Sequence, residues 1–438
     1  MINRWLFSHI DNSALIVFRV IFGFLIAAEA IGAIFTGWVT HTLVEPKFTF
    51  NFIGFEFLQP LPGNGMYYYF AVMGIFGILV MIGFKYRWSM TGYTILWAGV
   101  YFMQKSSYNN HYYLLLLLCF LMIALPAGNY FSVDTKQNPS LQKISMPRWC
   151  ILIIIAQLWI VYTYASIAKL YPDWLDYTVA KNLMAGRAHY PIVGGVLQEH
   201  WTHVYITYFG ILFDLLIIPL LLWKRTRWIA FCTGIFFHLF NSIIFQIGIF
   251  PYLSLAFCVF FFSRERVHSV FMKKKPFYTG NEVIVPSYRN ILLPVLTLWI
   301  MVQIALPIRH WFIPGDVLWT EEGHRLSWRM MLRGRSGNTS FYIVDKNDPE
   351  KKRQAIDKSE YLSQKQSRLV SSRPDGIWQF AQRLKKEYAA KGKDISVYVD
   401  SKVSINGKDY KTLIDPKVDI ANTTWNYFTT NPWIIKYD

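Results

Sequence analysis

Acidic side chains are scarce in this sequence: 27 Asp and Glu stand against 44 Lys and Arg in 438 residues. Charge of either sign is thin, at 16% of residues, while 53% are hydrophobic and 18% aromatic. That balance excludes an average water-soluble globule. Cysteine is rarer still. Cys119, Cys150, Cys232 and Cys258 all lie within or at the edge of apolar runs, and no two have CxxC spacing. This excludes a legible zinc site or disulfide framework, and no metal is expected. There is no tandem repeat, no low-complexity tract and no evident cleavable signal; the first apolar run begins near Ala14 and is long enough to stay in a bilayer. The net charge of +17 is not the footprint of a nucleic-acid partner, because the basic residues fill short gaps between apolar runs, as they do in membrane proteins.

A helix needs roughly 20 apolar residues to cross the hydrocarbon core. About nine candidates are present, at 14–36, 66–84, 89–105, 112–128, 150–169, 203–223, 226–247, 249–263 and 290–308, the third and eighth being short. With sides alternating along the chain, Lys85, Arg87, Lys136, Lys143, Arg148, KRTR at 224–227 and RERVHSVFMKKK at 264–275 fall on the side of the N-terminus. Lys47, Lys105, Lys169, Lys181 and Arg187 fall opposite. Basic loops mark the cytoplasmic side, so the N-terminus is expected inside and everything after the ninth crossing outside.

Residues 1–308 therefore read as a transmembrane helical domain and 309–438 as an extracytoplasmic α+β domain. SFYIVD (340–345) and ISVYVDSKVSI (395–405) alternate like strands, and Ile377, Ala381, Leu384 and Tyr388 recur at helical spacing before Gly392. The Lys-, Ser- and Gln-rich segment 346–374 is expected to be a mobile surface loop.

Ionisable groups inside spans are costly, which makes Arg19, Glu29 and Asp214 candidates for function or for helix packing, and packing is the favoured reading. Arg19 and Glu29 are about 15 Å apart along one helix, too far to pair. KSSYNNHYY (105–113) reads as a helix start capped by Asn, with His111 in its first turn, or as a polar cluster facing a cavity. His238 and Asn241 share one helix face, which suits either interhelical hydrogen bonding or a ligand site. His200 and His203 form a lone HxxH without a third ligand. In YASIAKLYPDW (164–174), Lys169 ends an apolar run before Pro172. It is either an anchor snorkelling to the interface or a base. Chemistry needs the neutral amine, present in about one free lysine in 2,500 at pH 7, and an apolar pocket favours it.

Taken together, NNHYY, AKLYPDW, FHLFNSIIFQIGIFPY, LWTEEGHRLSWRMMLRGRS (318–336), VSING (403–407) and IDPKVDI (414–420) occur in one order along nearly the whole chain. They resemble the vitamin K-dependent γ-glutamyl carboxylase family, whose membrane part is the horizontally transferred transmembrane (HTTM) domain. The resemblance implies a reduced vitamin K hydroquinone, or related quinol, as cofactor, with O2 and CO2 as co-substrates. The quinol becomes an epoxide while a glutamate of a peptide or protein gains CO2 at its γ-carbon. No side chain is basic enough to take that γ-proton, so the cofactor must supply the strong base. A neutral lysine matches a quinol hydroxyl, which is phenol-like with a pKa of about 10.

Carried over residue by residue, the resemblance makes Lys169 the base and His111 a charge-stabilising partner, with Asn110 beside it and His238 and Asn241 near the cofactor. It gives Trp319, His324, Ser327, Trp328, Arg333 and Arg335 to glutamate recognition, where a guanidinium fork suits a carboxylate. A surface arginine pair over lipid headgroups is the other reading of the last two. Lys411 is nearest to a further basic position of the family. His324 stands where the animal enzymes carry tyrosine, and Arg333 where they carry histidine. The animal enzymes also continue further, so this form is more similar to bacterial relatives. A bacterial inner membrane is expected, or the endoplasmic reticulum in a eukaryote, with the active site on the non-cytoplasmic side. The alternatives are a quinol epoxidase that does not carboxylate, and a non-enzymatic membrane protein.

Overall fold

The computed structural model describes residues 2–437. Every expected apolar run is helical. The helices are α1 (Ser13–Phe35), α2 (Gly65–Ile82), α3 (Tyr86–Met103), α4 (Asn110–Ala124), α5 (Trp149–Ile167), α6 (His200–Leu222), α7 (Arg227–Phe245), α8 (Phe250–Ala256) and α9 (Arg289–Ile308). Six of these positions (α1, α2, α5, α6, α7 and α9) are long and apolar enough to cross a membrane. The α4 helix and the Phe250–Phe260 segment are apolar but shorter. Polar side chains dilute α3, and they have structural work: the Tyr93 hydroxyl donates to Ile26 O at 3.1 Å and the Thr94 hydroxyl to Met90 O at 2.7 Å.

Small residues let α1 and α2 pack closely, as helices do where lipid gives no hydrophobic drive. A Cβ on Gly77 would lie 2.7 Å from the Ala27 nitrogen. Of the intramembrane charges, Arg19 does pack: its guanidinium donates to Ala127 O, Tyr130 O and Phe131 O at the far end of α4. Polar and charged contacts collect at the two ends of the bundle. One end of the bundle gathers Asp11 with Lys275, His9 with Ser145, and the Lys85 backbone with Asp134. The opposite end gathers Lys105, Asn109–His111 and Lys169 with the C-terminal region.

That region is α+β. Strands β1 (Arg335–Asp345), β2 (Gln354–Ile356), β3 (Ile395–Ile405) and β4 (Lys411–Thr412) form an antiparallel sheet in the order β2-β1-β3-β4. Phe341 lies opposite Val399 and Ile343 opposite Val397, so alternate residues face one side. There they bury against Ile377, Phe380 and Leu384 of α11 (Pro374–Ala390).

The segment 346–374 is not a mobile loop. It contains β2 and a further helix, α10 (Gln364–Ser372). A reciprocal cap between Ser363 and Gln366 starts α10, and the Gln366 amide then reaches back to Phe48 O at 2.5 Å. The Ser-x-x-Gln spacing was legible, but the polar composition masked it. Leu369 and Val370 are buried, which pins the helix.

Candidate active site

The local path at Lys169 follows from the sequence. Pro172 cannot continue α5, and the residue before a proline is driven to extended backbone; Tyr171 is extended, and a short helix begins at Pro172. Lys169 is thereby left on the last turn, folded inward rather than outward. It is 7% exposed. Its Nζ donates to Ala165 O at 3.0 Å and meets the Asp214 carboxyl of α6 at 2.5 Å, with the Trp174 ring 5.5 Å away. An anchoring lysine would have its nitrogen in water. The reading of Asp214 as a packing residue is incomplete, because what it packs against is the candidate base.

Lys169 and Asp214 line an apolar cavity of about 480 Å³ between α5, α6 and α7, together with His111, His238 and Asn241. His238 takes part in a hydrogen bond between Nε2 and the Tyr162 hydroxyl at 3.2 Å, and its buried Nδ1 has no partner among the described residues. The rest of the wall is aromatic and aliphatic, including Phe236, Phe240 and Trp201. Trp201 and Phe236 are also exposed on the outside of the bundle, which puts the cavity close to the lipid-facing surface.

Beside it lies a larger, cation-lined chamber of about 1100 Å³ under the C-terminal region. Its lining cations are Arg329, Arg333, Arg335, Lys365, Arg368 and Arg373. Glu29 is the one lining carboxylate among the described residues, and it accepts from the Tyr112 hydroxyl at 3.0 Å. His111 lines both cavities, as do Ile247, Met330 and Met331. Asn109 caps α4 by accepting from Tyr112 N at 2.7 Å, as the sequence suggests, and this sets His111 in the first turn, stacked 3.9 Å from the Phe250 ring. Asn110 lines the cation-lined chamber and not the apolar cavity; its amide donates to Arg329 O at 3.0 Å.

The 321–333 segment forms the partition. Glu321, Leu326, Trp328 and Met331 all have left-handed backbone, which costs non-glycine residues on the order of 1–2 kcal/mol each. Tertiary contacts hold it there. Trp328 is buried against the Tyr113 ring at 4.8 Å, and Leu326 N donates to the Tyr108 hydroxyl at 2.8 Å. Tyr171 donates its hydroxyl to Leu332 O. Arg333 donates to the His324 ring at 2.9 Å and contacts Glu321. His324 stays neutral far below the usual histidine range, through burial first and then through Arg329, Arg373, Arg325 and Arg335 around it. Burial and neighbouring Arg373 bring Arg335 down to about 9; its guanidinium also donates to Leu318 O and Trp319 O, both at 2.8 Å.

Not all the expected glutamate-site residues meet. Arg333, Arg335 and His324 line the larger chamber. Trp319 lies behind Arg335 and donates to Ile435 O at 2.7 Å, Trp328 sits in the core, and Ser327 lines a separate cleft with Asp316. Lys411 does not line the chamber; it lies on the edge strand β4, exposed over the Tyr437 ring at 4.8 Å. The cations that sequence reading missed, Lys365, Arg368 and Arg373, come from α10 and its C-terminal end. His200 and His203 stay apart from any set of three potential metal ligands among the described residues.

The distant sequence blocks touch. Asp173 of AKLYPDW accepts from Asn406 Nδ2 at 2.9 Å and Lys408 Nζ at 2.6 Å, while Asn406 Oδ1 accepts from Gly334 N at 2.9 Å. The β3–β4 turn thus ties the Lys169 corner to the arginine segment.

Residues 7–265 match the family model described as HTTM domain, and residues 288–438 match that described as vitamin K-dependent gamma-carboxylase, lumenal domain. The second match takes in α9. No solved structure matches the chain.

Proposed function

Since this chain belongs to the vitamin K-dependent gamma-carboxylase family, we propose that it carboxylates glutamate in a peptide or protein at the expense of a reduced quinone. The observation that carries this reading is the pair of unlike cavities sharing the His111 wall. An apolar cavity with a few converging polar atoms suits a quinone ring and tail, and the unpartnered His238 Nδ1 offers a hydrogen bond to a ring oxygen. A basic chamber suits a carboxylate.

When bound, the reduced quinone supplies the oxygen chemistry and the strong base that no side chain can supply. The protein's part is positional and electrostatic. Lys169 takes a ring-hydroxyl proton within the apolar cavity. His111, at the wall, faces the charge that develops between the two cavities. Arg333, with Arg335 behind it, holds the glutamate carboxylate by the planar fork. Nine crossings, an inside N-terminus and domains of 1–308 and 309–438 complete the proposal and put the chamber on the non-cytoplasmic side.

The test supplies purified protein in nanodiscs with vitamin K hydroquinone, labelled bicarbonate and a glutamyl peptide. Label in γ-carboxyglutamate and matching epoxide are expected, and none above a Lys169→Ala control refutes the reading. Contact between Arg333 and Glu321 favours one second reading, an epoxidase whose arginine is already satisfied internally. Epoxide without labelled peptide, across a broad set of peptides, selects it.

A further inference from the structure

Lys169 does not face the apolar cavity alone. Its nitrogen lies 2.5 Å from Asp214, both side chains are buried, and no other acidic residue lines that cavity among the described residues. A carboxylate this close to an amine changes what the amine can do. The two share one proton, and in water the amine is the stronger base by far. An ammonium in contact with a carboxylate is also the arrangement in which two buried charges compensate each other. The resting lysine is then a cation, which can receive a proton only as it gives one up.

We propose that the working base is the Lys169–Asp214 pair, with Asp214 as the positioning residue that takes up the proton. This rests on the quinol reading above. In the step, a hydroxyl proton arrives at Lys169 Nζ and one ammonium proton passes to Asp214 Oδ2. Lysine starts and ends as the ammonium. The carboxylate becomes a carboxylic acid, and the hydroxyl that lost its proton faces the ammonium as counter-charge. The cavity is neutral before and after, so no net charge is moved into an apolar space. Asp214 is set for this by the elements that carry it: Ser166 of α5 donates to Ile211 O of α6 at 3.0 Å, and the Trp174 indole donates to Thr207 O at 3.3 Å. These bonds fix the two helices in register across the pair.

Difference infrared spectroscopy on the nanodisc protein gives a readout that does not depend on turnover. Without quinol, the wild type should show a carboxylate absorption that Asp214→Asn removes. Adding vitamin K hydroquinone without oxygen should replace it with a protonated carboxyl absorption. With oxygen, Asp214→Asn should lose about 100-fold or more in quinol turnover, the scale of a general-base contribution, while Asp214→Glu stays within about tenfold of wild type. A carboxyl already protonated at rest and unmoved by quinol overturns the proposal. So does an Asp214→Asn protein within about threefold of wild type whose acid limb has moved to lower pH, since that is a lone neutral lysine at work. Equal loss in Asp214→Glu also overturns it, because that is packing. If Asp214→Asn does not fold, the infrared change in wild type and Asp214→Glu decides. Wild type that makes neither epoxide nor carboxylated peptide sinks the quinol reading instead, a separate result.

Discussion

Replacing Asp375 by asparagine removes the anion from a buried triad in which Lys105 and Arg325 are the cations. Lys105 precedes α4, Arg325 lies in the partition, and Asp375 begins α11, so the triad joins helical bundle, partition and outer region. The Lys105 contact is 2.5 Å, with side chains 1% and 2% exposed; Arg325 is 13% exposed. Burial pushes the Asp375 carboxyl up, but Arg325 and Lys105 overcome it and hold it well below the usual carboxylate range. Breaking one buried pair costs about 3–5 kcal/mol, mostly as the unpaired charge left behind. Arg325 keeps some access to solvent and asparagine can still accept a hydrogen bond, so the lower end, about 3 kcal/mol, is expected. At about 2–4 °C per kcal/mol for a region of this size, Tm should fall by about 6–12 °C. Lys105→Met removes a cation instead and leaves one matched pair, so it should cost less than half as much. Tryptophan fluorescence during heating in nanodiscs measures both. Epoxidation, which the proposed function assigns to the apolar cavity, should stay within about threefold below the transition, while peptide carboxylation falls further because Arg325 steadies the partition. Asp375→Asn costing under about 1 kcal/mol, or Lys105→Met costing as much as Asp375→Asn, refutes the charge reasoning.

Further outcomes follow from the same geometry. Lys169→Arg should abolish quinol turnover, since guanidinium snorkels as well as ammonium but does not give up a proton near neutrality; unchanged turnover would return Lys169 to an anchor. Arg333→Lys should raise KM for the glutamyl peptide about tenfold or more and spare quinol epoxidation, read by measuring both products in one assay. Because His324 stays neutral in the fold but titrates near 6.5 when unfolded, the unfolded chain binds more protons below that pH. Stability of the outer region should thus drop by up to about 1.4 kcal/mol per pH unit from this group as pH falls below 6.5; His324→Gln should flatten that slope in thermal melts. Gly77→Val forces a branched side chain onto the Ala27 backbone and should destabilise the bundle by about 1–3 kcal/mol, seen as a lowered Tm.

Much of the helical frame was legible because apolar length is a one-dimensional property. Each apolar run became a helix. The Asn109 cap and the strands around Phe341 and Val399 were legible for the same reason: capping and alternation act over a few residues. What was hidden acts across the chain. Asp214 is 45 positions from Lys169, and nothing in either helix announces the other. Arg373 and Lys365 sat in a stretch whose polarity suggested solvent, yet that polarity belongs to the wall of an internal chamber. Lys411 shows the converse. Proximity in sequence to a family block brought it forward, and the register of a two-residue edge strand took it away. Ser327, Trp319 and Trp328 fit the pattern too: neighbours along a strained segment point in different directions, so a contiguous motif need not be a contiguous site.

The shared wall has one consequence for stoichiometry. One compartment is apolar and the other is lined by cations, and among the described residues His111, two methionines and an isoleucine line both. In the proposed reaction, the base made in the apolar cavity would have one side chain's width to cross before it met either an acceptor or solvent. On the proposed reaction, coupling between oxidation and carbon fixation is a property of occupancy: with the cation-lined chamber filled by peptide the two products should rise together, and with it empty the strong base should be quenched by protons while epoxide still forms.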